Sequence, residues 1–460
     1  MSSLLQTLRE SFNGEEKDFT TGSLRGAIAL LAIPMILETA MESLFSVVDI
    51  FFVARLGDDA VATVGLTESL STFVFAIAMG LSFATTAFVA RRIGEKDPAA
   101  AARGAVQSIF IGVAAAVVIG LVGIFFAPEL LALMGASEAV QKNSGYTRIS
   151  LGGSAAVMLL FLLNAVFRGA GDAVIAMKVL WFGNAINILL NPCLIFGWGP
   201  FPEMGIEGSA VGTVIGRCCA VGYQIWHLFR GSGRIRLSWE AMRFDRELMG
   251  HILKPAASGM FQIFVATASW TAMVRIASTF GSEVLAGYTI AIRVVIFSIL
   301  PSWGLCNAAA TLVGQNLGAG KPQRAEDSVW EAARYNVWFL GGLSVVFLIF
   351  AEAVIGIFTH EPVVVAVGAD CLRFVSAAYV FLSYGMMMEQ AFNGAGDTYT
   401  PTMVNLACYW VLQIPLAWTL AIGMGYGPRG VFSAITVAET SLAIVAVLLF
   451  RRGTWKQQKI

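Results

Sequence analysis

Charge is scarce in this chain: Asp, Glu, Lys and Arg together make 13% of its 460 residues, and 57% are hydrophobic. A soluble domain carries about 25% charged residues, so water is excluded as the solvent for most of this surface and lipid is implied. Lys and Arg balance Asp and Glu at 30 each, and no nucleic-acid partner is expected. Histidine is rarer still, with His227, His251 and His360 scattered at the ends of apolar runs. No phosphate-binding loop, nucleophile motif or metal-ligand spacing occurs, which argues against enzymatic turnover and against any bound cofactor. The six cysteines lie in or beside apolar runs without partner spacing and are read as packing residues. The first 25 residues lack the basic, apolar and small-residue succession of a cleavable signal. Within them, Leu4, Leu5, Leu8 and Phe12 either line one face of an interfacial helix or belong to a disordered tail.

What is abundant is long apolar runs. Twelve can be cut, at 27–53, 61–89, 104–127, 146–167, 174–196, 207–229, 253–279, 286–313, 332–358, 372–392, 401–423 and 431–450. Each is long enough to cross a hydrocarbon core of about 30 Å at about 1.5 Å per residue. The expected fold is all-α and integral to the membrane. With the N-terminus inside, Lys and Arg divide about 20 to 5 in favour of the inner segments, so both termini are expected to be cytoplasmic in a multi-pass plasma (inner) membrane protein.

The chain repeats itself. Phe167-Arg168-Gly169-Ala170-Gly171-Asp172 recurs as Phe392-Asn393-Gly394-Ala395-Gly396-Asp397, 225 positions later. Pro34 answers Pro255, Gly94 and Pro98 answer Gly318 and Pro322, and Pro192 answers Pro415, all at offsets of 221–225. Six spans per copy is an even number, so both copies enter the bilayer from the same side. The expectation is two six-helix bundles related by a pseudo-twofold axis along the membrane normal. They would comprise a segment 1–25, an N-lobe 26–229, a linker 230–252, a C-lobe 253–450 and a tail 451–460. Such a seam suits alternating access.

Polar residues inside the spans mark candidate sites, because a carboxylate at mid-bilayer costs about 2.5–3.5 kcal/mol on insertion scales. Glu38, Glu42 and Asp49 in the first span fall within about 40° of one another on a helical wheel, an acidic stripe that would attract cations or hold protons. Asn187 and Asn191 lie one turn apart in the fifth span, and Pro192 leaves the carbonyl near Ile188 without its helical donor. With Asp49 they form an oxygen set suited to sodium, or a hydrogen-bond network around a protonatable Asp. Gln262 and Glu389 are the corresponding cavity or substrate candidates of the second half, Glu389 occupying the place of Asn164. Glu68 and Glu439 are expected mainly to neutralise arginines such as Arg217, Arg275 and Arg293. Met386 to Met388, Phe73, Phe75 and Phe83 could offer a greasy lining, although lipid contact or packing is the better account of any one of them.

Pro34 with Asp49, Arg55-Leu-Gly57, the two Gly-Ala-Gly-Asp repeats, Asn187-Ile-Leu-Leu-Asn191-Pro192, Gly205 to Thr213 and the run Ala308 to Pro322 carry a family resemblance. Across nearly its whole length the chain resembles the multidrug and toxic compound extrusion (MATE) transporters, the DinF-like branch more than the NorM-like. The resemblance implies cation-coupled antiport, by sodium or protons, of amphipathic and often cationic small molecules, from a monomer. It implies that Asp49 is the coupling carboxylate, with Asn187, Asn191, Thr213 and Asn164 in its network. Two departures stand out: Asn191 and Gln262 occupy positions where branches of the family carry acids. A lipid-linked sugar flippase of the same superfamily is the nearest alternative and would need a broad basic cavity. A channel or a structural membrane protein would not need Asp49 and Asn187 inside the bilayer.

Overall fold

The computed structural model describes residues 18–230, 233–237 and 239–458, all helix and connection with no strand among them. The Leu4–Phe12 segment lies outside the described residues. Twelve long helices follow in chain order. The first six are α1 Leu24–Val53, α2 Asp58–Gly94, α3 Pro98–Leu133, α4 Gly145–Ala170, α5 Ala173–Phe196 and α6 Ile206–Arg230. The second six are α7 Arg246–Ser278, α8 Ser282–Gly318, α9 Pro322–Gly356, α10 in two pieces (Pro362–Ala377 and Tyr379–Ala395), α11 Tyr399–Gly423 and α12 Pro428–Arg452.

Ten of these pass as membrane spans on length and apolar character, and the bent pair of α10 makes an eleventh. The remaining helix, α6, is 25 residues long; Glu207, Arg217, Gln224 and its glycines dilute its apolar content, and it packs on α5. Several helices outrun the expected spans. At 37 residues, α2 and α8 are about 55 Å long, well beyond the hydrocarbon thickness.

Local chemistry sets the helix ends. Asp97 caps α3 by accepting from the Ala100 amide at 2.8 Å, and Pro98 takes the first helical position, where no donor is needed. Pro322 holds the same position in α9. The repeated Gly-Ala-Gly-Asp motif closes α4 and α10. Gly171 and Gly396 both sit in the left-handed region, at φ 89° and 86°, where a side chain would be strained.

The duplication extends to irregularities. Phe126 in α3 and Phe350 in α9 are both non-helical kinks, at φ −118° and −109° with ψ 20°, and lie 224 residues apart. Only the first has a proline just downstream, Pro128, so proline alone does not make the kink. Each half also has its own core. Val106, Leu163, Phe167 and Leu228 pack in the first lobe; Tyr288, Leu340, Leu372 and Phe432 pack in the second.

The lobes meet on the half of the bundle that carries both described chain ends, the terminal half. A Cβ on Gly94 would overlap the carbonyl oxygen of Gln315, and a Cβ on Gly318 would overlap that of Arg91. Gly94 with Gly318, and Arg91 with Gln315, are repeat mates, so this contact is self-complementary as a twofold axis requires. Thr311 donates to the Arg168 carbonyl at 3.1 Å and the Gln315 amide to that of Gly169 at 2.9 Å. Leu31 and Met35 of α1 pack there against Leu312, Met388 and Phe392.

Candidate functional site

The acidic stripe of α1 faces two adjoining cavities. The first, about 190 Å³, lies between the lobes. Glu38, Glu42, Asn164, Arg168 and Arg217 line it from the first lobe, and Trp303, Asn307, Gln390 and Asn393 from the second. The other, about 350 Å³, is lined by first-lobe residues including Glu42, Asp49, Glu68, Tyr146, Thr213 and Arg217. Glu42 and Arg217 border both.

At the wall of the second cavity, which Asp49 and Thr213 line but Asn187 and Asn191 do not, Asn191 of α5 donates its amide to Asp49 Oδ1 at 2.7 Å, and the Ser209 hydroxyl of α6 donates to the same oxygen at 2.9 Å. Oδ2 is left to the cavity. One turn along α5, Asn187 donates to Thr213 Oγ1 at 2.9 Å. The Oδ1 atoms of Asn187 and Asn191 are buried without a hydrogen-bond partner. Close approach of α5 and α6 makes this possible. Gly183 and Gly216 pack against each other, and a Cβ on Gly212 would fall 2.6 Å from Asn191 Oδ1. A lone carboxylate oxygen and two orphaned amide oxygens fit a hard monovalent cation better than a transition metal. Among the described residues no group of three or more His, Cys, Asp or Glu is placed to hold a metal ion.

Asn164 belongs elsewhere. Its amide donates to Glu38 Oε1 at 3.0 Å, and its own oxygen accepts from Gln224 at 2.6 Å. Arg168 also donates to Glu38 Oε1, at 3.3 Å, leaving Oε2 buried and unpartnered. The expected coupling set therefore divides into an Asp49 cluster with Asn187, Asn191 and Thr213, and a Glu38 cluster with Asn164. Sequence spacing put Asn164 deeper than Asp49 but could not show which acid it would meet.

Two stretches, residues 34–193 and 259–419, each match the MatE family model, the second beginning 225 residues after the first. The chain belongs to the MatE family. Probable multidrug resistance protein NorM of Thermotoga maritima is 25% identical over 95% of this chain and 94% of its own length. Multidrug export protein MepA of Staphylococcus aureus is 24% identical over 92% of each. A solved structure of MATE in complex with MaL6 superposes with a TM-score of 0.89 at 25% identity, covering 96% of this chain and 99% of that one. As a MatE protein the chain is a multi-pass membrane transporter of small molecules and not an enzyme. Similar identities to NorM and MepA leave its branch within the MatE family unassigned.

Of the remaining candidates, Gln262 is buried with Oε1 unpartnered, and neither it nor Glu389 lines either cavity. Phe83 lines the first cavity and Phe75 the second, whereas Phe73 is exposed and its ring lies 6.4 Å from that of Phe264. Met387 and Met388 are core residues. Ser209 and Gln224 were missed by sequence reasoning. Ser209 stands one helical turn before Thr213, so the spacing that paired Asn187 with Asn191 would have found it. Gln224 carried no such signal.

Proposed function

We propose that the chain is a secondary active exporter that couples inward movement of sodium or a proton at Asp49 to outward movement of an amphipathic, often cationic, compound. The observation that carries this is the Asp49 cluster: one carboxylate whose hydrogen bonds fall on Oδ1 alone, beside two orphaned amide oxygens. A cation there would neutralise a charge that is costly at membrane depth. Asp49, Asn187 and Asn191 would hold sodium if that is the coupling ion, with Thr213 fixing Asn187 from α6.

The first cavity is the natural place for substrate, since both lobes line it and Glu38 and Glu42 bring negative charge to it. Arg217 borders both cavities and couples them electrostatically, acting on both Glu42 and Asp49. Arg168 and Arg217 are each matched by an acid, unlike the broad basic cavity a lipid-linked sugar flippase would need.

The positive-inside asymmetry supports a cytoplasmic position for the terminal half and both termini, in the inner membrane. The packed seam is then cytoplasmic, which supports an outward-facing state of a monomeric transporter. Alternating access would open this seam and close the opposite half. Efflux from proteoliposomes under separately imposed sodium and pH gradients tests the reading. Flux that depends on neither gradient would contradict it, and non-saturating flux would favour a channel.

A further inference from the structure

The second lobe contains a pair of acids that neither cavity uses. Glu389 on α10 and Glu439 on α12 interact electrostatically, and no Lys, Arg or His among the described residues acts on either. The groups that face them are Cys306 of α8 and Cys408, Tyr409 and Asn405 of α11. Tyr409 donates its hydroxyl to Glu439 Oε1 at 3.2 Å. Three further oxygens there, Glu389 Oε1, Glu439 Oε2 and Asn405 Oδ1, are buried and lack a partner, although Asn405 is only 3% exposed. Each is an acceptor in want of a donor.

The surrounding backbone is also unusual. Over Leu406–Gln413, α11 is wound as a π-helix, and again over Thr419–Gly423, whereas α5, its counterpart in the first lobe, is α-helical throughout. Wide turns of this kind cluster at functional sites. In the first lobe the residue equivalent to Glu389 is Asn164, which cannot titrate and instead donates to Glu38. The two lobes therefore differ in charge at matching positions.

We propose that Glu389 and Glu439 form a proton-holding carboxyl pair inside the second lobe, separate from the Asp49 cluster of the first. Two carboxylates at membrane depth without a counter-charge repel each other, and a single shared proton relieves that repulsion. One proton taken from water converts a carboxylate into an O–H donor, which the orphaned oxygens of the partner acid and Asn405 can accept. Its release to water restores the ionised pair. The two groups titrate as one coupled unit rather than as separate sites.

The test reads protons directly and does not depend on transport. Infrared difference spectra between acidic and alkaline pH are recorded on purified, substrate-free protein in lipid nanodiscs. Wild type is expected to show a protonated-carboxyl band that persists in Asp49→Asn, loses intensity in Glu389→Gln and in Glu439→Gln, and is the same in sodium as in potassium. Tyr409→Phe, which leaves both acids in place, is expected to shift the band without abolishing it, so the test survives if the glutamine variants fold poorly. An identical band in both glutamine variants would overturn the proposal. So would a wild-type band that sodium removes at constant pH, since a metal ion would then occupy the pair. Loss of export in Asp49→Asn with this band intact would show that the two sites are independent.

Discussion

Asp49 receives both of its hydrogen bonds on one oxygen, and that asymmetry sets the residue-scale expectations. Asp49→Asn keeps the side-chain shape but removes the charge a cation would neutralise. We expect it to abolish ion-driven efflux while expression and melting temperature stay near wild type, both measured on the same purified preparation. Gly212 tests the scaffold behind it. A methyl there would press on Asn191 Oδ1, and overpacking of this kind costs about 1–3 kcal/mol. Gly212→Ala should lower the melting temperature and weaken coupled efflux. Gly222→Ala, on the same helix but with nothing within 4 Å of the new methyl, should change neither. Glu38 is held differently, by an arginine and an amide. Glu38→Gln leaves the half-buried Arg168 without its ion-pair partner and should destabilise the protein as well as impair transport, which thermal melts and substrate-binding titrations run in parallel would separate from the pure coupling loss of Asp49→Asn.

Among the elements, those whose ends are fixed by local chemistry were legible in the sequence, and those shaped by packing were not. The Gly-Ala-Gly-Asp repeats announced the ends of α4 and α10 because a left-handed residue there requires glycine. The inward stripe of α1 followed from helical spacing, since Glu38, Glu42 and Asp49 do line adjoining cavities. The 57° bend at the middle of α10 left no proline as a signal and stretched the expected 372–392 span to Pro362–Ala395. Nor did the π-wound turns of α11 show in composition. The assignment of Asn164 to Glu38 was invisible for a related reason: sequence spacing fixes faces within a helix, not contacts between helices. The Gly94–Gly318 contact gives an element-scale prediction. Gly318→Leu cannot fit against Arg91 and should pry the seam open. Spin labels at Lys96→Cys and Gln323→Cys, on a background lacking the native cysteines, should report a longer mean distance in that variant than in the otherwise unaltered protein. Equal distances would mean that the seam tolerates bulk and is not a tight contact.

At the scale of the whole molecule, two lobes with separate cores pack tightly along one half of their seam and enclose a charged cavity between them. Locking the packed half should stop turnover without preventing substrate binding from the opposite side, because the cycle requires both halves to open in turn. The central claim is that export is driven by a cation acting through Asp49. Its most direct measurement is efflux of a fluorescent amphipathic cation from proteoliposomes holding wild type or Asp49→Asn, with sodium and proton gradients imposed one at a time. The account predicts that one gradient accelerates saturable wild-type efflux and that neither gradient accelerates efflux by Asp49→Asn. Gradient-driven efflux by Asp49→Asn at the wild-type rate would contradict it.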